Sequence, residues 1–575
     1  MMKPFSKHLL VASVLAACST TAAADTFSIE EIATADNFRN SFPRDMNEQG
    51  FIVGISSFPT DVDIDLSQLT ASQLASLGIT DIDEVDELTP AQYEFIINSL
   101  ATNENSNFLQ KPIASYQAFL YDGMTLPVSF FNDPEDVSTI TYLNSINGSN
   151  TAVGMGYGSY KPVEFSYINS EDEEVTNTFY VRDFISRGVW YQDGQTATVT
   201  PPEQAILGGE SAIMDVNESG LAAGYASVAL SPGAESTIEN CTPPEDSDAV
   251  QTRPLEVCAS ELWLDLHNAS ANNIAPILYY TRSNYASRRS IYDVRGFLWQ
   301  LDASGEVISS VELGTLEERR EDDESDFSSY AYAVNNNGIA AGQSFTYHPD
   351  RGAIRMPAIF VDGEAIAVTE NDEYFWGSAN DINDNNRAVG YLTTTRAANL
   401  RNIGFYYDVD SATMETLPGF FEGSSTVPSD INNNGLVVGT GEIEPTLSSS
   451  RRRVGFLYDT TADDAQFINL NDAIACDSQY FIVDARAITD SGEIVASALK
   501  TEEYIDGDGE TQSREVAVTI KMDPIEGELN NCRQEENKVE RSGASFGGLP
   551  LASLSLLGFF ITLSRRRQHK NIKKS

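Results

Sequence analysis

The stretch "PSDINNNGLVVGTGE", Pro428 to Glu442, sets Asp, Ile and Asn before a polar turn, then Gly, a short apolar run and a second Gly. Asp430, Asn432 and Asn434 alternate as metal ligands do, yet the same residues also suit a β-hairpin. Recurrence favours the hairpin. The pattern returns as "DMNEQGFIVG" from Asp45, "SINGSNTAVG" from Ser145, "DVNESGLAAG" from Asp215, "AVNNNGIAAG" from Ala333 and "DINDNNRAVG" from Asp381. A degenerate copy, "AITDSGEIVA" from Ala487, has Thr489 for Asn and Ala496 for the last Gly, making seven copies. A residue needed in every copy serves the turn; a catalytic or metal site needs asymmetry.

Asn opening and Gly closing a four-residue turn is a type I signature, and the flanking small and β-branched residues read as strands. A second motif is interleaved with the first: "AFLYDG" from Ala118, "GVWYQDG" from Gly188, "GFLWQLD" from Gly296, "AIFVDG" from Ala358, "GFYYD" from Gly404, "GFLYD" from Gly455 and "AVTIKMD" from Ala517. These nearly continuous apolar runs suit a strand inside a sheet, buried on both faces. A more variable strand follows, as in "METLPGF" from Met414. Each unit is therefore a four-stranded sheet that cannot bury its own faces, and stacked radially such units make an all-β, seven-bladed β-propeller. The run "TFSIEEI" from Thr26 precedes the first turn motif and reads as a last strand that completes the C-terminal blade. Arg355, Arg401, Arg452 and Arg514 each stand three residues before the second motif, where a structural Arg–Asp ladder is expected.

Two intervals between copies carry extra sequence. A small helical insertion, about 65–111, holds "TASQLASLG" and "TPAQYEFIINSL", each with a Thr-to-Gln capping-box spacing. A Cys-containing insertion, about 227–290, holds Cys241 and Cys258. Long insertions on one face of a repeat ring are where binding is expected.

The ends read as addresses. Residues 1–24 form a secretory signal peptide, with cleavage after Ala24; "LAAC" ending at Cys18 also leaves lipidation of that cysteine open. A linker spans 533–545, an apolar segment 546–563 is just long enough to cross a bilayer, and 564–575 is a basic tail held in the cytoplasm. The order Gly547–Gly548, apolar run, Arg565–Arg566–Arg567 resembles the GlyGly-CTERM sorting signal, which implies cutting near the glycines by a rhomboid-type intramembrane protease. Secretion machinery and that protease are the expected partners, with the body, 25–532, exported and either anchored or sorted to the cell surface. An exported compartment favours disulfides; of three possible pairings, the local ones, Cys241–Cys258 and Cys476–Cys532, are expected.

The alternation of "GFLYD"-type strands, "ELGTL" (Glu312 to Leu316) and "DINNNGLVVG" resembles the HAF-type bacterial extracellular repeat, and the whole arrangement resembles an uncharacterised exported family. The resemblance implies architecture and export and supplies no catalytic residues.

The formal net charge of -49 excludes nucleic acid as a partner. Of four histidines, only His267 and His348 lie in the body, and no HExxH, GxSxG, P-loop or dinucleotide fingerprint is present. No catalytic or cofactor-binding residue is assigned. Calcium is the one cofactor with a candidate loop, Asp506, Asp508 and Glu510, which lacks the Gly and Glu an EF-hand requires. The expected function is a binding or structural surface module for an extracellular ligand. The alternatives are a propeller-scaffold hydrolase of glycan or ester and a calcium-dependent adhesin.

Overall fold

The structure, a computed structural model, describes residues 26–530 apart from 86, 101–107, 132–137, 245–246, 248, 270–288, 397, 447–450 and 506–509. The chain divides into two units, Met1–Leu529 and Asn530–Ser575, and every strand lies in the first.

Strand β1 (Thr26–Ile32) precedes the first blade. Blade 1 consists of β2 (Phe38–Met46), β3 (Ile52–Pro59), β4 (Tyr116–Tyr121) and β5 (Thr125–Val128), with helices α1 (Ala71–Ser76) and α2 (Pro90–Leu100) inserted between β3 and β4. Blade 2 begins with β6 (Thr141–Ile146) and β7 (Ala152–Tyr157). A separate hairpin follows, β8 (Tyr160–Ile168) and β9 (Glu174–Arg182), before β10 (Ser186–Gln192) and β11 (Gln195–Val199) complete the blade. Blade 3 has β12 (Ser211–Val216) and β13 (Leu221–Leu230), helices α3 (Pro232–Glu239) and α4 (Leu255–Ala269), then β14 (Tyr292–Leu301) and β15 (Val307–Glu312). Blade 4 is β16 (Ser329–Val334), β17 (Ala340–His348), β18 (Gly352–Val361) and β19 (Glu364–Ala367). Blade 5 is β20 (Trp376–Ile382), β21 (Arg387–Arg396), β22 (Asn399–Asp408) and β23 (Thr413–Thr416). Blade 6 is β24 (Thr426–Ile431), β25 (Leu436–Glu442), β26 (Arg453–Asp459) and β27 (Ile468–Asn469). The last sheet joins both ends of the repeat region: β28 (Phe481–Ile488), β29 (Ile494–Ile505), β30 (Thr511–Ile525) and, outermost, β1.

The first strands of successive blades touch one another around the ring, β28 meeting β2 at the seam, so the seven sheets close into a propeller. Closure by β1 is as the sequence predicts: Thr26 to Ile32 pairs antiparallel with Ile525 to Thr519. Apolar clusters bridge neighbouring blades. At the seam Ile32, Met46, Ile52, Phe119, Ala487 and Val495 form one of them.

The repeat's closing glycine has a local cause. In each of the first six blades the first strand carries a β-bulge just before the turn motif, for example between Pro428 and Asp430. The bulge presses a carbonyl against the second strand: a Cβ on Gly439 would sit 2.2 Å from Val427 O, and on Gly154 1.9 Å from Tyr142 O. No side chain fits there. Blade 7 has Ala496 instead, and its first strand departs from the others by shifting register twice, at Ile482/Asp484 and Ala485/Ala487.

The insertions match their sequence signals. Thr70 and Gln73 form a full capping box, and Thr89 and Gln92 exchange the same bonds. Cys241–Cys258 is a disulfide. Cys476 is disulfide-bonded, and Cys532 lies outside the described residues. So do Ala24, Gly547, Gly548, Asp506, Asp508 and the segments 1–24, 533–545, 546–563 and 564–575. Glu510 is described and exposed.

The four arginines before the second motif have these neighbours among their contacts. Arg355 lies 3.7 Å from Asp326, and Arg514 pairs with Glu502 at 2.6 Å. Arg401 donates to Leu400 O, and Arg452 lies over the Phe481 ring.

Candidate functional site

Two faces of the ring differ in kind. On the face of the first-to-second-strand turns, the repeated Asn does two jobs. Asn432 Oδ1 accepts from Asn434 N and Leu436 N, holding its own turn, while its Nδ2 donates 2.9 Å to Thr489 O of the next blade. The same donation runs Asn47 to Asn147, Asn147 to Asn217, Asn217 to Asn335, Asn335 to Asn383 and Asn383 to Asn432. This ladder ends at blade 7, where Thr489 has no amide to pass on.

A second ladder uses the residue after each Asn. Gly148 N donates to Glu218, Glu218 N to Asn336, Asn336 N to Asp384, Asp384 N to Asn433, Asn433 N to Asp490, and Asp490 N to Glu48. It crosses the seam between blades 7 and 1 and ends at Gly148, which has no side-chain acceptor. The two ladders stop at different seams, so together they bridge every junction. Asn432→Ala removes two turn bonds and leaves Thr489 O without its donor, a cost of about 2 kcal/mol. Urea unfolding of the full chain is expected to show it as a lowered midpoint at unchanged slope.

The repeated Asp makes a third set of links: Asp45 accepts from Ile146 N, Asp215 from Val334 N, Asp381 from Ile431 N and Asp430 from Ile488 N. Burial, followed by the adjacent carboxyl of Asp381, holds Asp430 well above the usual carboxylate range. Among the described residues no group of three or more His, Cys, Asp or Glu side chains is arranged to hold a metal. The Asp and Asn of the opening stretch are thus turn and ring residues.

The opposite face is stitched by hydroxyls and built over by insertions. Thr141 Oγ1 accepts from Ala118 N and donates to Val128 O; Ser211 does the same between Gly188 and Val199, and Ser329 between Gly296 and Leu313. Strand order places every second-to-third-strand connection at this end. The inserted material of blades 1, 2 and 3 therefore converges here. Tyr180 N of β9 donates to Phe108 O of the blade 1 insertion, and Gly233 N of α3 donates to Glu324 O. Phe108, Phe179, Val181, Ile238, Val257 and Trp263 join one apolar cluster with the first-strand residues Tyr142, Met214 and Tyr330.

Beneath α4 lies a partly open cavity of about 20 Å³, walled by Met155, Tyr157, Ile185, Tyr225 and Tyr330 and edged by Ser186, Glu210, Trp263, His267, Arg289 and Ser290. At roughly 10–15 Å³ per water, it has room for one or two. Glu210 sits in the connector before β12. Burial, helped by the nearby charge of Asp326, pushes its carboxyl up to about 7, with the neighbouring polar groups of Ser290 and Trp263 pulling the other way. Trp263, 5% exposed, stacks on His267 at 4.6 Å, and its Nε1 faces the carboxyl without a close hydrogen bond. Arg289 Nε meets Asp326 Oδ1 at 2.8 Å, and the fully buried Arg355 lies on the far side of Asp326 between the Phe345 and Trp376 rings. Burial likewise holds the phenols of Tyr225 and Tyr330 above their ordinary range, so they remain neutral donors.

None of this cluster repeats from blade to blade. Glu210, Arg289 and Asp326 come from connectors, and Trp263 and His267 from an inserted helix. Asp326 ends the acidic run from Glu321, and His267 is one of the two body histidines; those were the only signals available in the sequence. His348 serves its turn, accepting from Asp350 N and bonding Asp372 O. Among the described residues no helix is long and apolar enough to cross a membrane.

Comparison with known proteins adds a family. The beta-propeller domain of the Trilobed protease from Pyrococcus furiosus is 10% identical, with 83% of this chain and 98% of that chain covered and a TM-score of 0.33. Pyrococcus horikoshii acylaminoacyl peptidase is 11% identical, with 84% and 54% covered and a TM-score of 0.32. These likenesses concern fold alone, and the propeller assignment here rests on the seven sheets and their closure. No curated protein matches the sequence. One family model, described as "Protein of unknown function (DUF3466)", matches residues 6–567, and the chain belongs to that family.

Proposed function

We propose that this chain is an exported binding module, tethered by its C-terminal apolar segment or sorted to the cell surface, that engages an extracellular glycan at the insertion face. One observation carries the reading: the insertions of three consecutive blades meet over a single sector of the ring and gather unrepeated polar and aromatic side chains there. Arg289, its side chain 40% exposed and held by the buried Asp326, offers guanidinium donors to ligand hydroxyls at the surface of this sector. The GlyGly-CTERM and HAF-type resemblances support an extracellular address, and the body's acidity argues for an uncharged or cationic ligand. A glycan array probed with the full chain is expected to show binding that Arg289→Ala weakens by tenfold or more, about 1.4 kcal/mol. No binding across neutral and charged glycans would sink the proposal.

A second reading, a glycan- or ester-active hydrolase, is favoured by one feature: Glu210 titrates near neutrality while Asp326 stands close by, the division of labour an acid/base pair needs. Turnover of a chromogenic glycoside or ester that disappears in Glu210→Gln would establish it over simple binding.

A further inference from the structure

Blade 4 buries hydrogen-bond donors that the protein leaves unmet. Its ladders set Tyr330 of β16 opposite Gln343 of β17, Gln343 opposite Pro357 of β18, and Phe345 opposite Arg355. Residues paired across antiparallel strands share a face of the sheet, so these side chains lie side by side. That face is covered by blade 5. The Trp376 ring stands 5.3 Å from the Arg355 guanidinium, and a Cβ on Gly377 would come within 3.0 Å of Pro357 Cδ.

Gln343 is 0% exposed and Arg355 2% exposed. Neither Nε2 nor Oε1 of Gln343 has a hydrogen-bond partner, and neither Nε nor Nη1 of Arg355 has one. The Phe345 and Tyr330 rings, 4.8 and 6.0 Å from the guanidinium, complete the enclosure. Their faces attract a cation but supply no acceptor atom in the plane of its N–H groups. Asp326 is the acid that Arg355 pairs with. Its Oδ1 accepts from Arg289 Nε at 2.8 Å, and its Oδ2 lies 3.7 Å from Arg355 Nη2, beyond hydrogen-bond distance. Two guanidiniums share one carboxylate, which leaves one positive charge over in a place that water does not reach.

We propose that the space between blades 4 and 5 at Arg355 and Gln343 is a binding site for a small monovalent anion of the halide class, with chloride as the natural occupant. One anion accepts from several N–H groups at once. It therefore meets Arg355 Nε and Nη1 together with Gln343 Nε2, and it neutralises the surplus charge. A water molecule accepts the same bonds but brings no charge. The site is separate from the glycan reading and stands without it.

Equilibrium unfolding of the full chain by urea tests the site. Sodium concentration and pH are held fixed while gluconate, which is too large to be enclosed, is exchanged for chloride. A ligand that binds only the folded state lowers the unfolding constant tenfold for each tenfold rise above its dissociation constant. That dependence is expected in the natural chain, with bromide able to replace chloride. Gln343→Met keeps the length of the side chain and removes the amide; it is expected to move the chloride dependence to concentrations at least tenfold higher. Arg355→Met is expected to abolish it, and if that variant does not fold, Gln343→Met decides alone. An unfolding constant indifferent to chloride in the natural chain means that water alone fills the space and overturns the proposal. A chloride dependence that Gln343→Met leaves unchanged also overturns it, because the ion then binds elsewhere.

Discussion

Deleting residues 26–32 is expected to abolish cooperative folding of the body. These seven residues supply the whole outer strand of blade 7. Phe27 and Ile32 are 6% and 1% exposed, and Phe27 N also donates to Ala473 O. Glu31 accepts from Lys500 and from Tyr480. Truncating a buried Phe costs about 3–5 kcal/mol and a buried Ile about 2–5. Their sum is of the order of the net stability of a whole domain, about 5–15 kcal/mol. The loss falls at the ring's only junction between chain ends, where the Ile32 cluster joins blade 7 to blade 1. Calorimetry of the truncated full-length chain should show no single cooperative transition. A sharp melt near that of the intact chain would mean that the ring does not depend on its N-terminal strand.

The second large effect is a stability that falls as pH rises from 5 to 8. Asp484, on the first strand of blade 7, is 1% exposed; burial raises its carboxyl from 3.8 to about 6, with Arg486, Arg44 and Arg453 pulling the other way. Arg486 Nε reaches it at 2.5 Å. In the unfolded chain this group has lost its proton by pH 5, whereas the folded chain still holds it. The folded state binds more protons, so stability is greatest below the unfolded value and is lost as pH climbs through about 6. A shift of about two pK steps corresponds to about 3 kcal/mol. Asp430 acts in the same direction, because burial and Asp381 disfavour its charge. Exposed carboxylates such as Asp302 and Asp408, which turn N–H groups hold low, oppose the trend weakly because solvent screens them. Only the part of that shift above pH 5, about one pK step, is read between pH 5 and pH 8, so urea unfolding is expected to show Asp484 contributing about 1.4 kcal/mol in favour of acid. Asp484→Asn should reduce that difference by the share of Asp484 and leave the part that Glu210, whose buried carboxyl is raised to about 7, contributes in the same direction. A natural chain that gains stability from pH 5 to pH 8 would contradict the burial argument.

Asn432 and Gly439 were legible because the same chemistry recurs at the same spacing in nearly every blade. A turn that must be capped and a carbonyl that leaves no room for a Cβ constrain residue type locally, and local constraints write themselves into sequence. Even the exceptions carried information: Thr489 and Ala496, the two departures in the last copy, mark where the Asn ladder ends and where the first strand shifts register twice. The two ladders themselves were not legible, since their partners lie in neighbouring blades.

The candidate site was hidden for the opposite reason. Glu210, Trp263, Arg289 and Asp326 belong to segments of unrelated length and composition, with no spacing that announces a role. Their proximity follows from two geometric facts, the alternation that sends every second-to-third-strand connection to one end and the closure that brings blades 2, 3 and 4 around a common axis.

By itself the sequence determined the four-stranded repeat, the turns, the small-residue positions and the strand that shuts the ring, because each answers to covalent neighbours or to a face that one sheet cannot bury alone; the β8–β9 hairpin inserted in blade 2 left no such signal. Only the tertiary structure decided which carboxyls are starved of water and which side chains share a mouth, because desolvation and proximity are properties of the packed ring and have no counterpart in the order of residues along the chain.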